Sequence, residues 1–132
     1  MEIRKDIYEQ MIQDAIESFP NECCGILAGK TNTASKIYPV KNVEVSPETG
    51  YLMDSDVQFK ILKILEQSSI EVIAFYHSHP NSECYPSKKD IDLISYPDSL
   101  YVIISLAEIE SPEVKAFKIQ KDKVREEEIK II

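Results

Sequence analysis

The sequence predicts one α/β or α+β domain that spans residues 1–132, with helices packed against a sheet. Two observations support this fold class. Segments with apolar residues at helical spacing alternate along the chain with short runs rich in β-branched and aromatic residues. In addition, 132 residues are enough to bury a single core without disulfides or structural metals.

The N-terminal third predicts a short strand, a helix and a β-hairpin. The strand falls at Met1–Ile3, and residues 6–18 carry an amphipathic helical pattern whose apolar stripe packs on the core: Ile7, Met11, Ala15 and Ile16. Cys24–Ala28 and Ser35–Val45 are predicted strands on either side of a turn at residues 29–32, and together they form the hairpin.

The rest of the chain predicts one more helix and several strands. The helix begins near Asp54 and continues to about Gln67, and Glu71–Tyr76 is a buried strand. Leu100–Leu106 is a second buried strand. Val114–Gln120 is expected to pair with Glu128–Ile132, with a charged turn and strand face between them.

The charge balance excludes some classes of partner. The chain has 23 acidic and 15 basic residues, a net charge of −8. This charge disfavours general binding to nucleic acids and to anionic membrane surfaces, which both require basic patches. The chain begins with charged residues and has no apolar run long enough to cross a bilayer, so we expect a soluble cytoplasmic protein.

The two histidines of the chain lie close together after the buried strand. Residues i and i+2 of a strand face the same side, so His77 and His79 project together, and Pro80 is expected to end the sheet pairing. Ser87 suits the N-cap of a short helix, which places Asp90 in its first turn. Two imidazoles and a carboxylate match the three protein ligands of a catalytic zinc site.

Each part of this pattern also has a purely structural interpretation. An isolated His-x-His at a strand end is more often a surface or structural feature, and Ser-x-x-Asp resembles a helix capping box. The combination favours a metal site, because His77, His79 and Asp90 converge on one turn region. We therefore expect one Zn²⁺ per chain.

The segment His77–Asp90 resembles a known family. Its pattern, His-x-His-Pro, six residues, Ser, two residues and Asp, is the signature of the JAMM or MPN-plus metalloproteases, without insertion or deletion. Pro20–Gly29 is similar to the upstream family segment that carries a glutamate, here Glu22. The resemblance covers essentially the whole chain and is to the compact prokaryotic type. It implies a curved mixed sheet flanked by helices, with zinc at a sheet edge.

The resemblance also implies roles for individual residues. By this match, His77, His79 and Asp90 bind zinc, Glu22 is the general base, and Ser87 stabilises the tetrahedral intermediate. Zinc can lower the pKa of a bound water from about 15.7 to about 7, and a nearby carboxylate can carry its proton to a leaving amine. Without the resemblance, Glu22 would be interpreted as an exposed residue that follows a helix.

The implied reaction is zinc-dependent hydrolysis of the amide bond after the Gly-Gly C-terminus of a ubiquitin-like or sulfur-carrier protein. The protein would then be an (iso)peptidase whose partner is that carrier, with an extended tail added as a strand at an exposed sheet edge. Isopeptide and linear peptide bonds both remain open as substrates.

Two other classes of function fit the sequence less well. A noncatalytic MPN scaffold is disfavoured because the complete ligand set is present. A zinc hydrolase acting on another amide or amidine, such as a nucleobase deaminase, is disfavoured because the chain has neither His-x-Glu nor Pro-Cys-x-x-Cys.

The three cysteines lie near these motifs. Cys84 falls between the predicted ligands, whereas Cys23 and Cys24 follow Glu22. Cys84 could serve as an alternative zinc ligand. We also hypothesise a disulfide from Cys84 to Cys23 or Cys24 that ties the loop to the Glu22 segment.

Overall fold

The computed structural model describes residues 1–132 and contains a mixed eight-stranded sheet with helices on both faces. Its strands are β1 Glu2–Ile3, β2 Cys24–Lys30, β3 Thr33–Val40, β4 Glu71–His79, β5 Leu100–Ser105, β6 Glu113–Gln120, β7 Lys123–Glu127 and β8 Lys130–Ile131. The helices are α1 Lys5–Ser18, α2 Ser55–Glu66 and α3 Lys88–Asp92. The predicted fold class is confirmed.

The sheet has the order β7-β6-β5-β4-β2-β3-β1-β8 and combines both strand directions. β4 is antiparallel to β2 and parallel to β5. β2 has a register shift against each neighbour, between Leu27 and Ala28 on one side and between Ala28 and Gly29 on the other. Such irregularities bend a strand and increase its twist, which curves the sheet.

Both faces of the central strands are buried, because each face carries its own apolar cluster. On one face, α1 packs against alternate strand residues such as Tyr76 and Val102. On the other face, α2 packs against their sequence neighbours Phe75 and Ile103. Every residue of β4 from Ile73 to the strand's end is buried. The strand that carries the histidines is therefore held firmly on both sides.

The first hairpin is confirmed, although its second strand is shorter than expected. Thr31 and Asn32 both have positive φ, 50° and 59°, which is the backbone of a tight two-residue hairpin turn. β3 ends at Val40 instead of Val45. Just beyond it, the Asn42 side chain accepts hydrogen bonds from the backbone of Glu44 and Leu52, so these groups are paired outside the sheet.

The expected pairing of Val114–Gln120 with Glu128–Ile132 is wrong. β6 pairs instead with β7, which follows immediately after a tight turn in which Lys121 and Asp122 have positive φ. A turn of this length forces the next residues into the adjacent strand position. Only two residues separate β7 from β8, so the sheet curls until its two ends lie close together, and β8 runs parallel to β1.

None of the three helices has the length and apolar character needed to cross a membrane.

Candidate metal centre

Three side chains meet beside the end of β4. The Nε2 atoms of His77 and His79 lie 3.1 and 3.0 Å from Oδ2 of Asp90, and 3.2 Å from each other. Both histidines are buried, with 1% and 3% of their surface exposed. The structure thus brings together three ligand-type atoms from residues up to 13 positions apart in the chain.

The two histidines share a face of β4 because they lie two residues apart. The strand continues through His79, which pairs with Ser105 of β5, so Pro80 ends the pairing one residue after the histidines. β4 is also the fourth of eight strands. The expectation of a metal site at a sheet edge is therefore wrong, because strands flank the histidines on both sides.

Asp90 is positioned by the first turn of α3. Its backbone N–H donates to Oγ of Ser87 over 3.0 Å, and the Ser87 N–H donates to Oδ2 of Asp90 over 2.9 Å. These reciprocal bonds form a capping box, so the expected N-cap role of Ser87 is confirmed. The box also fixes the carboxylate oxygen that faces the histidines.

Hydrogen bonding selects the tautomer of His79. Its Nδ1 lies 2.8 Å from the carbonyl oxygen of Glu83, which can only accept, so Nδ1 carries the hydrogen. In the neutral ring, the lone pair is then on Nε2, the nitrogen that faces Asp90 and His77. This arrangement is typical of histidines that bind metals. His77 has no partner at Nδ1, but its ring stacks on Tyr51 with centroids 4.4 Å apart.

The three atoms fit a divalent metal such as zinc. Tetrahedral zinc with bonds of about 2.0–2.1 Å holds its ligand atoms about 3.3 Å apart. The separations of 3.0–3.2 Å are close to this value. Burial would raise the pKa of Asp90, but its close contacts with the two imidazoles and the Ser87 N–H hold it well below its ordinary value. Burial lowers the pKa of His77. Both residues are thus kept in the forms that bind metals.

Glu22 is buried, unlike the exposed glutamate that sequence alone suggests. Only 6% of its surface is exposed, and its Oε1 has no hydrogen-bond partner. Its backbone is anchored, because its N–H donates to Pro47 and its carbonyl accepts from the Asn42 side chain. Burial raises the pKa of Glu22 to about 7, while His79 acts in the opposite direction. The carboxyl of the metal-free protein therefore retains its proton to a higher pH than an exposed glutamate does.

Sequence reasoning missed three residues that support this arrangement. Ser78 lies between the histidines, and its Oγ accepts from the backbone N–H of Cys23 over 2.8 Å. The side-chain amide of Asn42 donates hydrogen bonds to the backbone carbonyls of Glu22 and Gly50 and so holds these two segments together. Tyr51 contacts His77. The polar Ser78 within an apolar strand was a usable signal, whereas Tyr51 had none, because only the tertiary structure brings it to the histidine.

The hypothesised disulfide is wrong, since all three cysteines are free and buried. The Cys84 thiol donates to the carbonyl of Ile103 on β5, and the Cys24 thiol donates to Val40 on β3. β5 and β3 are three strand spacings apart, or about 14 Å, so neither sulfur can reach the other. Cys23 packs with the α1 cluster on the other face of the sheet from Cys84. Cys84 is also absent from the group of ligand-type atoms.

Comparison with known proteins places this chain in a family. The family described as prokaryotic homologs of the JAB domain matches residues 4–120. The CysO-cysteine peptidase of Mycobacterium tuberculosis is 33% identical over 98% of this chain and 90% of its own length. The desampylase of Haloferax volcanii is 35% identical over 77% of this chain and 75% of its own length.

A solved structure agrees with this relationship. A protein from Desulfitobacterium hafniense superposes with a TM-score of 0.89 at 35% identity, covering 100% of this chain and 93% of that protein. The family match, the named peptidase relatives and the group formed by His77, His79 and Asp90 lead to one conclusion. The chain belongs to the prokaryotic homologues of the JAB domain, the compact JAMM type of metallopeptidase.

Proposed function

We propose that this protein hydrolyses the amide bond that follows the Gly-Gly C-terminus of a ubiquitin-like or sulfur-carrier protein. One observation carries the proposal: the converging ligand atoms of His77, His79 and Asp90 lie within electrostatic reach of the buried, unpaired carboxyl of Glu22. The activities named for the relatives, a CysO-cysteine peptidase and a desampylase, are consistent with this substrate class.

In this proposal His77, His79 and Asp90 hold a zinc ion. When bound, zinc polarises the scissile carbonyl and lowers the pKa of water at the site. Asp90 would contribute a negative charge to the ligand set, and the Glu83 carbonyl holds the hydrogen of His79 at Nδ1, which would leave the Nε2 lone pair free for the ion. Because β4 is packed on both faces, the two imidazoles need little reorganisation to bind.

Glu22 is the proposed general base and acid. It accepts a proton from the attacking water and then delivers it to the leaving amine. General catalysis is most effective when the pKa lies near the working pH, and burial raises the pKa of Glu22 to about 7. Hydrogen bonds to its N–H and its carbonyl hold the Glu22 backbone in place.

Ser87 is the proposed donor to the oxygen that becomes negative during the reaction. Its Oγ already accepts the N–H of Asp90, so its hydroxyl hydrogen remains available to donate. One such donor contributes about a hundredfold to a thousandfold in rate. The capping box therefore links ligand positioning and oxyanion stabilisation in one short helix.

β5 pairs with β4 through His79 and β2 pairs with it as far as His77, so little of the ligand strand is free to pair with a substrate tail. A cavity of about 220 Å³ lies next to Asp90 instead. Its walls include the apolar side chains of Met53, Phe75, Leu93 and Tyr96. We assign this apolar cavity to the carrier side of the scissile bond.

The test is intact-mass analysis of carrier proteins from the source organism. Carriers extended beyond Gly-Gly, or linked through Gly-Gly to a lysine, are incubated with the zinc-loaded wild type and with Glu22→Gln. We expect a product that ends in Gly-Gly with the wild type only. If the zinc-loaded wild type cleaves neither kind of conjugate, the proposed function is wrong.

A further inference from the structure

A second cavity reaches Glu22 from the side of α1. It has a volume of about 480 Å³ and lies between the C-terminal end of α1 and the end of β3. Asp14, Glu17, Glu22 and Lys41 contribute its charged groups, and we call this cavity the acidic cleft. It shares no residue with the apolar cavity next to Asp90.

Glu22 lines the acidic cleft and is also electrostatically coupled to His79 and Asp90 of the metal centre. This side chain is 94% buried, since only 6% of its surface is exposed, yet its Oε1 has no hydrogen-bond partner. Almost all buried polar atoms in native proteins are paired, so an unpaired buried oxygen on a residue that lines the cleft indicates that a donor from outside the chain binds beside it. An amine or ammonium group can supply that donor.

Three carboxyl groups and one lysine line the cleft, so it favours positively charged ligands. Asp14 is fixed in place, since its Oδ2 accepts the Tyr76 hydroxyl of β4 over 2.7 Å. Glu17 is exposed one turn further along α1, where it accepts from the Gln13 side chain. Ionised, these groups attract a cationic segment and repel an anionic one.

The reaction places the leaving group on the Glu22 side of the scissile bond. The oxygen of water bonds to the carbonyl carbon, the C–N bond breaks, and the nitrogen leaves with the proton that Glu22 carries. The amine must therefore be within reach of Glu22 as it departs. The acidic cleft is the cavity that Glu22 lines, whereas the apolar cavity does not contact it.

We propose that the acidic cleft binds the leaving-group side of the substrate and selects a lysine ε-amine in a basic segment over an amino acid with a free α-carboxylate. This inference rests on the proposed function and specifies its substrate. A single amino acid as leaving group, as in the conjugate for which the CysO-cysteine peptidase is named, would bring its carboxylate next to Asp14 and Glu17. We therefore expect this protein to prefer isopeptide bonds to lysines that lie among basic residues.

The test compares three leaving groups joined to the same Gly-Gly carrier. They are a lysine flanked by arginines, a lysine flanked by glutamates, and a single cysteine. We expect the zinc-loaded wild type to cleave the basic conjugate with a kcat/KM about tenfold above that of the other two. The preference should decrease as salt is raised, because the charges of the cleft are partly exposed to solvent.

Charge reversal of Glu17 provides the decisive variant. Glu17→Lys should remove or reverse the preference, and it places a favourable positive charge in the last turn of α1, so folding should be retained. Glu9→Lys is the matched control, because Glu9 is exposed on the same helix and does not line the cleft. This control should keep the wild-type preference.

A binding measurement separates this inference from the proposed function. Unconjugated basic and acidic lysine peptides are titrated against the metal-free protein by fluorescence anisotropy, with Glu17→Lys in parallel. Tighter binding of the basic peptide, lost in Glu17→Lys, supports the cleft even if no conjugate is cleaved. Cleavage without any preference among the three leaving groups, or a preference unchanged by Glu17→Lys, would overturn the inference while the proposed function stands.

Discussion

At the scale of single residues, one carboxylate oxygen organises the centre. Oδ2 of Asp90 lies within 3.1 Å of the Nε2 atoms of both histidines and accepts the backbone N–H of Ser87. The contacts with both imidazoles and with the Ser87 N–H favour the ionised carboxylate, which explains the lowered pKa despite burial. Glu22 shows the contrary case, because burial without a partner raises its pKa.

The raised pKa of Glu22 predicts a pH-dependent stability of the metal-free protein. Between about pH 4.5 and 7, the folded state retains a proton that the unfolded state has released, so the free energy of unfolding falls as pH rises. Glu22→Gln stays neutral and lacks this decline. Urea unfolding across this range should show the variant gaining stability relative to the wild type toward pH 7. If the free energy of unfolding of the two proteins changes with pH in the same way, the raised pKa of Glu22 is contradicted.

Replacement of Ser87 separates its two roles. Ser87→Ala should slow turnover by about a hundredfold or more through loss of an oxyanion donor. The loss of the N-cap should cost only about 1 kcal/mol of folding free energy. Steady-state kinetics with zinc content measured in parallel, together with urea unfolding, provide both values.

Asp54→Ala is the matched control for Ser87→Ala. Asp54 caps α2 by accepting from the N–H groups of Asp56 and Val57. Loss of this cap should lower the free energy of unfolding about as much as Ser87→Ala does, while turnover stays unchanged. If Ser87→Ala loses stability and keeps full turnover, its hydroxyl is only a cap.

At the scale of elements, the contact between β2 and β4 depends on a missing side chain. Gly25 is paired with Tyr76, and a Cβ at this position would overlap the tyrosine ring. The ring fills this space because its hydroxyl donates to Asp14 of α1. Because Gly25 has no side chain, Tyr76 can connect the central strand β4 to α1, the helix that lines the acidic cleft.

Gly25→Ala should consequently destabilise the protein by about 1–3 kcal/mol, the usual cost of overpacking a core. Urea or thermal unfolding would measure the loss. Gly50→Ala is a suitable comparison, because the atoms near a Cβ at Gly50 belong to the flexible end of the Lys89 side chain. We expect a much smaller change there. Equal effects of the two substitutions would show that the Tyr76 ring can move aside.

At the scale of the whole molecule, the core is complete without a metal. Two apolar clusters of 13 buried residues each cover the opposite faces of the sheet. Zinc is therefore expected to stabilise a fold that already exists. A ligand that binds only the folded state adds about 4 kcal/mol when its concentration is a thousand times its Kd.

Zinc loading should raise the Tm of the wild type by about 10 °C or more at such a concentration. In His77→Ala the difference in Tm between zinc-loaded and chelator-treated protein should largely disappear. Cys84→Ser is the control, because Cys84 lies outside the ligand group and should keep the full metal-dependent shift. Differential scanning calorimetry with and without chelator measures the shifts. A zinc-dependent shift that survives in His77→Ala would indicate a different site.

Local patterns were sufficient for most of the elements and for the spacing of the site residues. The period of the apolar residues predicted α1 and α2, and the two-residue spacing placed His77 and His79 on one face of a strand. The pairing of the C-terminal segments could not be predicted in the same way. β8 pairs with β1 at the other end of the strand order, which the curling of the sheet brings close to β7, and no local pattern distinguishes that partner from β6.

The sequence by itself determined the elements, the family resemblance and the set of candidate site residues, because periodicity, capping and ligand spacing are local properties of the chain. Only the tertiary structure decided that Glu22 is buried with an unpaired oxygen, that Tyr51 stacks on His77, and that the cysteines are too far apart to bond. These features depend on which strands become neighbours and on what covers each face. Burial and partner choice are properties of the packed molecule, and sequence spacing does not contain them.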